Sequence, residues 1–112
     1  MSTSDDRLAV IQDNYSNALT NEAQDLAQAT TPALVAAVQA NVANARATYY
    51  AAAAAALTNT DPQVEGAYTS AQAALNAVKQ ARSSAAQIET LLGKLNTSTT
   101  AATSLLNAAK SV

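Results

Sequence analysis

The chain has 112 residues with neither cysteine nor histidine, which excludes disulfide frameworks, thiolate metal sites and the commonest general base. Six basic residues against eight acidic ones leave a net charge of −2 and no basic cluster of the kind a nucleic-acid partner requires. Apolar residues make up 49% of the chain, but 30 of them are alanines and there is no Phe or Trp, so the hydrophobic reserve is thin.

That thinness has a direction. At about 25 cal/mol per Å² each alanine contributes little on burial, against an ordering cost of about 1–2 kcal/mol per residue. Composition therefore points to partners. Polarity comes mainly from 39 Ser, Thr, Asn and Gln residues, not from the 14 charged ones. Residues 1–10 include Asp5 and Asp6 and lack the basic start and apolar core of a secretory signal.

The first predicted helix covers about residues 4–29. Ser4, Asp5 and Asp6 put acids at its positive end. Leu8, Ile11, Tyr15, Ala18, Leu19, Ala23 and Leu26 then follow helical spacing.

Two prolines mark later helix starts. Thr31-Pro32 sets a hydroxyl N-cap before a proline at the first helical position, and Asp61-Pro62 repeats the device, with Thr60 and Gln63 as an alternative capping box. The second helix, about residues 32–58, carries the clearest pattern. Val35, Val38, Val42, Ala45, Tyr49, Ala52 and Ala56 alternate steps of three and four, the 3.5-residue period of a supercoiled packing seam. Arg46 is the only charge between Leu26 and Thr60, which predicts a central helix covered on more than one side.

The third helix, about residues 62–93 or a few further, is marked by Val64, Tyr68, Ala71, Leu75 and Val78, continuing as Ala81, Ala85, Ile88, Leu92 and Leu95. The repeated step of three from Val78 to Ala81 is a phase slip. Gly93 is placed to end the helix, and Asn96, Thr97, Ser98, Thr99 and Thr100 read as a turn. A short fourth helix, about residues 100–110, offers Ala102, Leu105, Leu106 and Ala109. The expected architecture is an all-α, antiparallel up-down-up bundle in one domain, residues 1–112, with three long helices and a short C-terminal one.

Candidate chemistry is sparse. Asp5, Asp6 and Asp13 read as helix-dipole acids, because no glycine-turned loop gathers them around a cation. Glu22, Asp25, Glu65 and Glu89 read as solvated helix-face acids. Residues 1–31 carry −4 and residues 62–112 carry +2, so Lys79 and Arg82 are candidate contacts to the first helix, in the same copy or another. Tyr15, Tyr49 and Tyr68 fall on the packing stripes, whereas Tyr50 sits one step off and is a candidate partner contact. Arg46 either reaches solvent along its own stem or touches a neighbouring subunit. Gln39, Asn41, Asn44 and Arg46 interrupt any membrane-spanning run. With no phosphate loop, nucleophile elbow or ligand spacing, neither an enzyme nor a cofactor is expected.

In composition the chain resembles small subunits of bacteriophage particles and of exported bacterial filaments; the likeness rests on no motif. It implies a structural subunit that contacts copies of itself and other structural proteins, with no nucleic acid. A virion component (capsid, neck or tail) assembled in the host cytoplasm is preferred. The alternatives are an extracellular filament or needle subunit exported without a leader, and a small helical chaperone or inhibitor module.

Overall fold

The computed structural model describes residues 1–110; Ser111 and Val112, included in the single domain read from the sequence, lie outside the described residues. Those residues form five helices and no strand: α1 (Ser4–Thr20), α2 (Glu22–Gln28), α3 (Pro32–Ala54), α4 (Pro62–Ser83) and α5 (Ile88–Ala109). They occupy 43 × 24 × 18 Å. The starts follow local chemistry. Thr3 caps α1 in a reciprocal box with Asp6 (3.1 and 2.9 Å), and the Thr31 hydroxyl accepts the Leu34 N–H at 3.1 Å. Asp61 precedes Pro62 as the N-cap of α4, where its side chain makes no capping bond and accepts instead from the Asn59 amide at 3.4 Å.

Three boundaries differ from the sequence expectation, each for an identifiable reason. The first helix is interrupted at Asn21, whose side-chain amide donates back to the Asn17 carbonyl at 2.8 Å and so competes with the helical ladder. The alanine run leaves the helix at Ala55 instead of continuing to residue 58, which lets Leu57 reach the core at 2% exposure. The Leu57 and Asn59 carbonyls then accept from Arg7, and the Asn59 N–H donates to the Ala109 carbonyl at 3.0 Å. Burial of one leucine and a pinned connector outweigh the helix propensity of alanine.

The largest difference lies between α4 and α5. The chain turns after Ser83, not after Gly93. Ala86 N–H bonds the Ala81 carbonyl and Ala85 N–H the Arg82 carbonyl, a Schellman stop with Ala85 at φ 55°. An alanine in that conformation costs about 1–2 kcal/mol, so sequence chemistry favours the glycine instead. Gly93 and the stretch from Asn96 to Thr100 lie inside α5, which is a long helix and not a short one. The Thr97 hydroxyl donates to the Gly93 carbonyl (2.9 Å) and the Thr103 hydroxyl to the Thr99 carbonyl (3.0 Å), which removes their competition with the helix.

The interior has two apolar groups. At one end Val10, Ile11, Leu57, Val64, Leu75 and Leu105 pack together; at the other, Val38, Val78, Ile88, Leu91, Leu92 and Leu95. Helix α5 contributes the most buried residues and packs on α4, α3 and α1. It is the central helix. The expectation that the alanine-rich helix would be central fails because α3 meets α1 and α5 along one side only, leaving Ala36, Ala40, Ala43, Ala47, Ala51 and Ala54 exposed.

Candidate protein interface and internal polar contacts

The predicted seam of α3 points largely inward. Val38, Val42, Ala45 and Ala52 are buried, Val35 and Tyr49 half-buried, and Ala56 is exposed because it lies past the end of the helix. The small seam residues let α1 and α5 approach within the same chain. Sequence periodicity missed that Asn41 and Thr48 share this buried face.

The outer side of α3 is uncharged and alanine-rich. Tyr50 stands on its α1 flank at 58% exposure, which with Met1 and Leu19 completes the large apolar residues exposed among those described. Tyr15 and Tyr49 stack with centroids 5.8 Å apart, and Tyr50 meets them at 6.3 and 5.9 Å. Arg46 is held in this group, its Nε donating to the Tyr15 hydroxyl at 3.0 Å. That bond, reinforced by nearby charge, raises the arginine pKa above its ordinary value. Tyr68 is half-buried on α4, its hydroxyl accepting from Gln72 at 3.0 Å.

Two ion pairs close the ends of the molecule. Arg7, 3% exposed, donates to the Leu57 and Asn59 carbonyls (2.8 and 3.0 Å), to the Ser2 hydroxyl and carbonyl (2.9 and 3.1 Å), and to Glu65 at 3.2 Å. Glu65 also accepts from the Ser2 N–H at 2.7 Å and from the Ser2 hydroxyl. Those Ser2 bonds, with Arg7 beside them, hold its carboxyl below the usual carboxylate range. At the far end Arg82 forms a fork with Asp25 (2.7 and 3.0 Å) and donates from Nε to Asn17 at 2.9 Å. Asp25 is 1% exposed.

Asp25 and Glu65 are therefore not solvated helix-face acids; burial and directed guanidinium contacts make them parts of the frame. Glu22 is half-buried and Glu89 exposed. Arg82 is engaged within its own chain. Lys79 is exposed and lines a groove of about 220 Å³ between α1 and α4 with Asp6, Asp13 and Gln72.

Between the two apolar groups lies a buried polar layer. Ser98 donates to Asn14 Oδ1 at 2.6 Å, Asn14 Nδ2 donates to the Thr99 hydroxyl at 3.2 Å, and Thr99 donates to Asn41 Oδ1 at 2.8 Å. Thr48 and Thr103 join hydroxyls at 2.9 Å. Asn41 Nδ2, buried, has no hydrogen-bond partner among the described residues. None of these residues was singled out as a group from the sequence. Their signal was there: Leu95, Ser98, Ala102 and Leu105 continue one helical stripe in which a serine occupies an apolar slot.

Among the described residues no cluster of three or more acidic, His or Cys side chains is placed to hold a metal ion, and no helix is long and apolar enough to cross a membrane. Compared with protein-family models, characterised proteins and solved structures, the chain matches none.

Proposed function

We propose that this chain is a non-enzymatic structural subunit, an antiparallel up-and-down bundle that enters a larger assembly through its outer α3 side. One observation carries the reading: a long helix surface of exposed alanines, flanked by Tyr50, bears no charge and is covered by nothing among the described residues. Tyrosine and arginine at such a flank are residue types that anchor interfaces, and small residues permit close helix approach. The best-formed polar contacts, those of Arg7, Asp25, Arg82 and Glu65, are engaged in holding the fold. A bacteriophage particle is the setting that composition favours.

Sedimentation velocity from micromolar to millimolar concentration tests this. The expected result is a mass above 11.4 kDa that rises with concentration. A helical species that stays at the monomer mass throughout overturns the subunit reading. Mass spectrometry of purified phage particles tests the setting separately, since a virion component is recovered at stoichiometric level.

A further inference from the structure

We propose that two copies of this chain pair across a two-fold axis through the edge formed by α1 and α3, the Tyr50 ring of each seated in a groove of the other. The inference rests on the subunit reading and names the surface and its occupant.

The two helices of this edge run antiparallel, Arg7 meeting the Leu57 carbonyl and Tyr15 meeting Tyr49. Four features follow one another along it. Asp5 comes first, exposed in the first turn of α1 and without an ion pair among the described residues. Beside it is a groove of about 150 Å³, walled by Leu8 of α1 and by Ala52, Ala55 and Ala56 at and just past the end of α3. Tyr50 is next, at 58% exposure and braced by the rings of Tyr15 and Tyr49. Arg46 is last, one turn before Tyr50 on α3. Its Nε is committed to the Tyr15 hydroxyl, which orients the guanidinium, while its two terminal nitrogens bond nothing among the described residues. Glu22 lies within electrostatic range of Arg46 but forms no ion pair with it.

The edge therefore reads acid, groove, ring, base. A two-fold axis normal to it reverses that order in the second copy, so that acid faces base and groove faces ring, each twice over. Such reciprocity is what a two-fold contact requires. The spacing agrees with it. Arg46 precedes Tyr50 by four residues, about 6 Å of helix, and Asp5 precedes Leu8 by three, about 4.5 Å, offsets that match within one residue's rise. A space of about 150 Å³ between aliphatic walls is of the size that holds a single aromatic ring. A guanidinium with two uncommitted nitrogens takes a carboxylate, and tyrosine and arginine are the residue types that anchor interfaces. An unrelated partner would have to present the same four features in the same order; a second copy does so by construction.

The test exchanges the charges and removes the ring. Tyr50→Ala empties the groove of the other copy, Asp5→Arg sets base against base, and Arg46→Glu sets acid against acid. The double variant of Asp5→Arg with Arg46→Glu restores opposite charges, and Thr69→Glu, exposed on α4, is the control. Sedimentation velocity reads association, and circular dichroism melting verifies that each variant is folded. Wild type and T69E are expected to dimerise alike, Y50A about tenfold more weakly. Each single charge variant should be weakened about threefold, and the double variant should recover wild-type association. D5R also cancels the net charge of −2, so general repulsion between copies predicts tighter association for it, and the reciprocal pair predicts weaker. Undiminished association of Y50A and D5R, or single-variant losses that the double variant does not recover, overturns this surface and leaves the subunit reading intact. A monomeric wild type at every concentration overturns both.

Discussion

The two ends of the molecule are closed by the same chemistry with the burial reversed. At the end where α1 and α4 begin, the arginine is the buried partner: Arg7 is fixed mostly by neutral carbonyls and a serine, and Glu65 remains about one-third exposed. At the other end the carboxylate is buried, with Arg82 as its only counter-charge among the described residues. A buried arginine fixed by several carbonyl acceptors tolerates the loss of its acid. A buried aspartate does not tolerate the loss of its base. The ends should therefore respond unequally to equivalent changes.

The largest effect is expected from Arg82→Met. It strands the Asp25 carboxylate, and chemical denaturation should show about 3–5 kcal/mol lost. Combining it with Asp25→Leu should recover most of that loss, since a buried pair replaced by apolar residues is often near neutral. A double variant as unstable as the single would break the proposed asymmetry. Next comes packing at the Arg7 end. Ala52→Leu inserts bulk at a fully buried position and should cost about 1–3 kcal/mol. Ala56→Leu, two residues past the end of α3, should change stability by no more than about 0.5 kcal/mol. Equal melting temperatures for the two would show that the seam tolerates bulk.

Smaller effects should come from the glycines. Ala85→Gly relieves a left-handed alanine at the Asp25 end and should stabilise by up to about 1 kcal/mol. Gly93→Ala adds a methyl that meets nothing within 4 Å on the α5 surface and should gain about 0.5–1 kcal/mol. Thermal melting separates these from zero when the two are combined.

The smallest effect at neutral pH is that of Glu65→Gln, and its sign depends on pH. The folded carboxyl titrates below its unfolded value, so its contribution is complete above the unfolded pKa, about 4.3, and disappears as pH falls through the folded one. Wild-type stability should fall over that acidic range more steeply than that of the Gln variant. Parallel pH profiles would remove Glu65 from the account of acid sensitivity.

Helix content and the proline-marked starts were legible because their chemistry is local: the Thr31 hydroxyl caps the Leu34 N–H, and both Thr31 and Asp61 stand directly before a proline ring. The inward face of α3 was legible from the 3.5-residue period of Val38, Val42, Ala45 and Ala52. What could not be read were features decided across the chain. Nothing near Ala85 marks it as a helix stop; the stop exists because α5 packs along α4. Asp25 looks solvated until Arg82, 57 residues away, is brought to it. Ser98 and Thr99 look like turn residues until Asn14 and Asn41 supply their partners. Of the candidate contacts, the exposure of Tyr50 and Lys79 followed from position on the helix, whereas the engagement of Arg46 by Tyr15 required the tertiary pairing of α1 with α3.

The layer of Asn14, Asn41, Ser98 and Thr99 has a consequence for alignment. Sliding α5 along its neighbours by one turn would carry these side chains against leucine and valine and leave several hydrogen-bonding groups stranded, at about 1–3 kcal/mol for each. An alanine-rich interior, whose small side chains discriminate poorly between offsets, gains from this layer a vernier: one setting in which α1, α3 and α5 are level with one another.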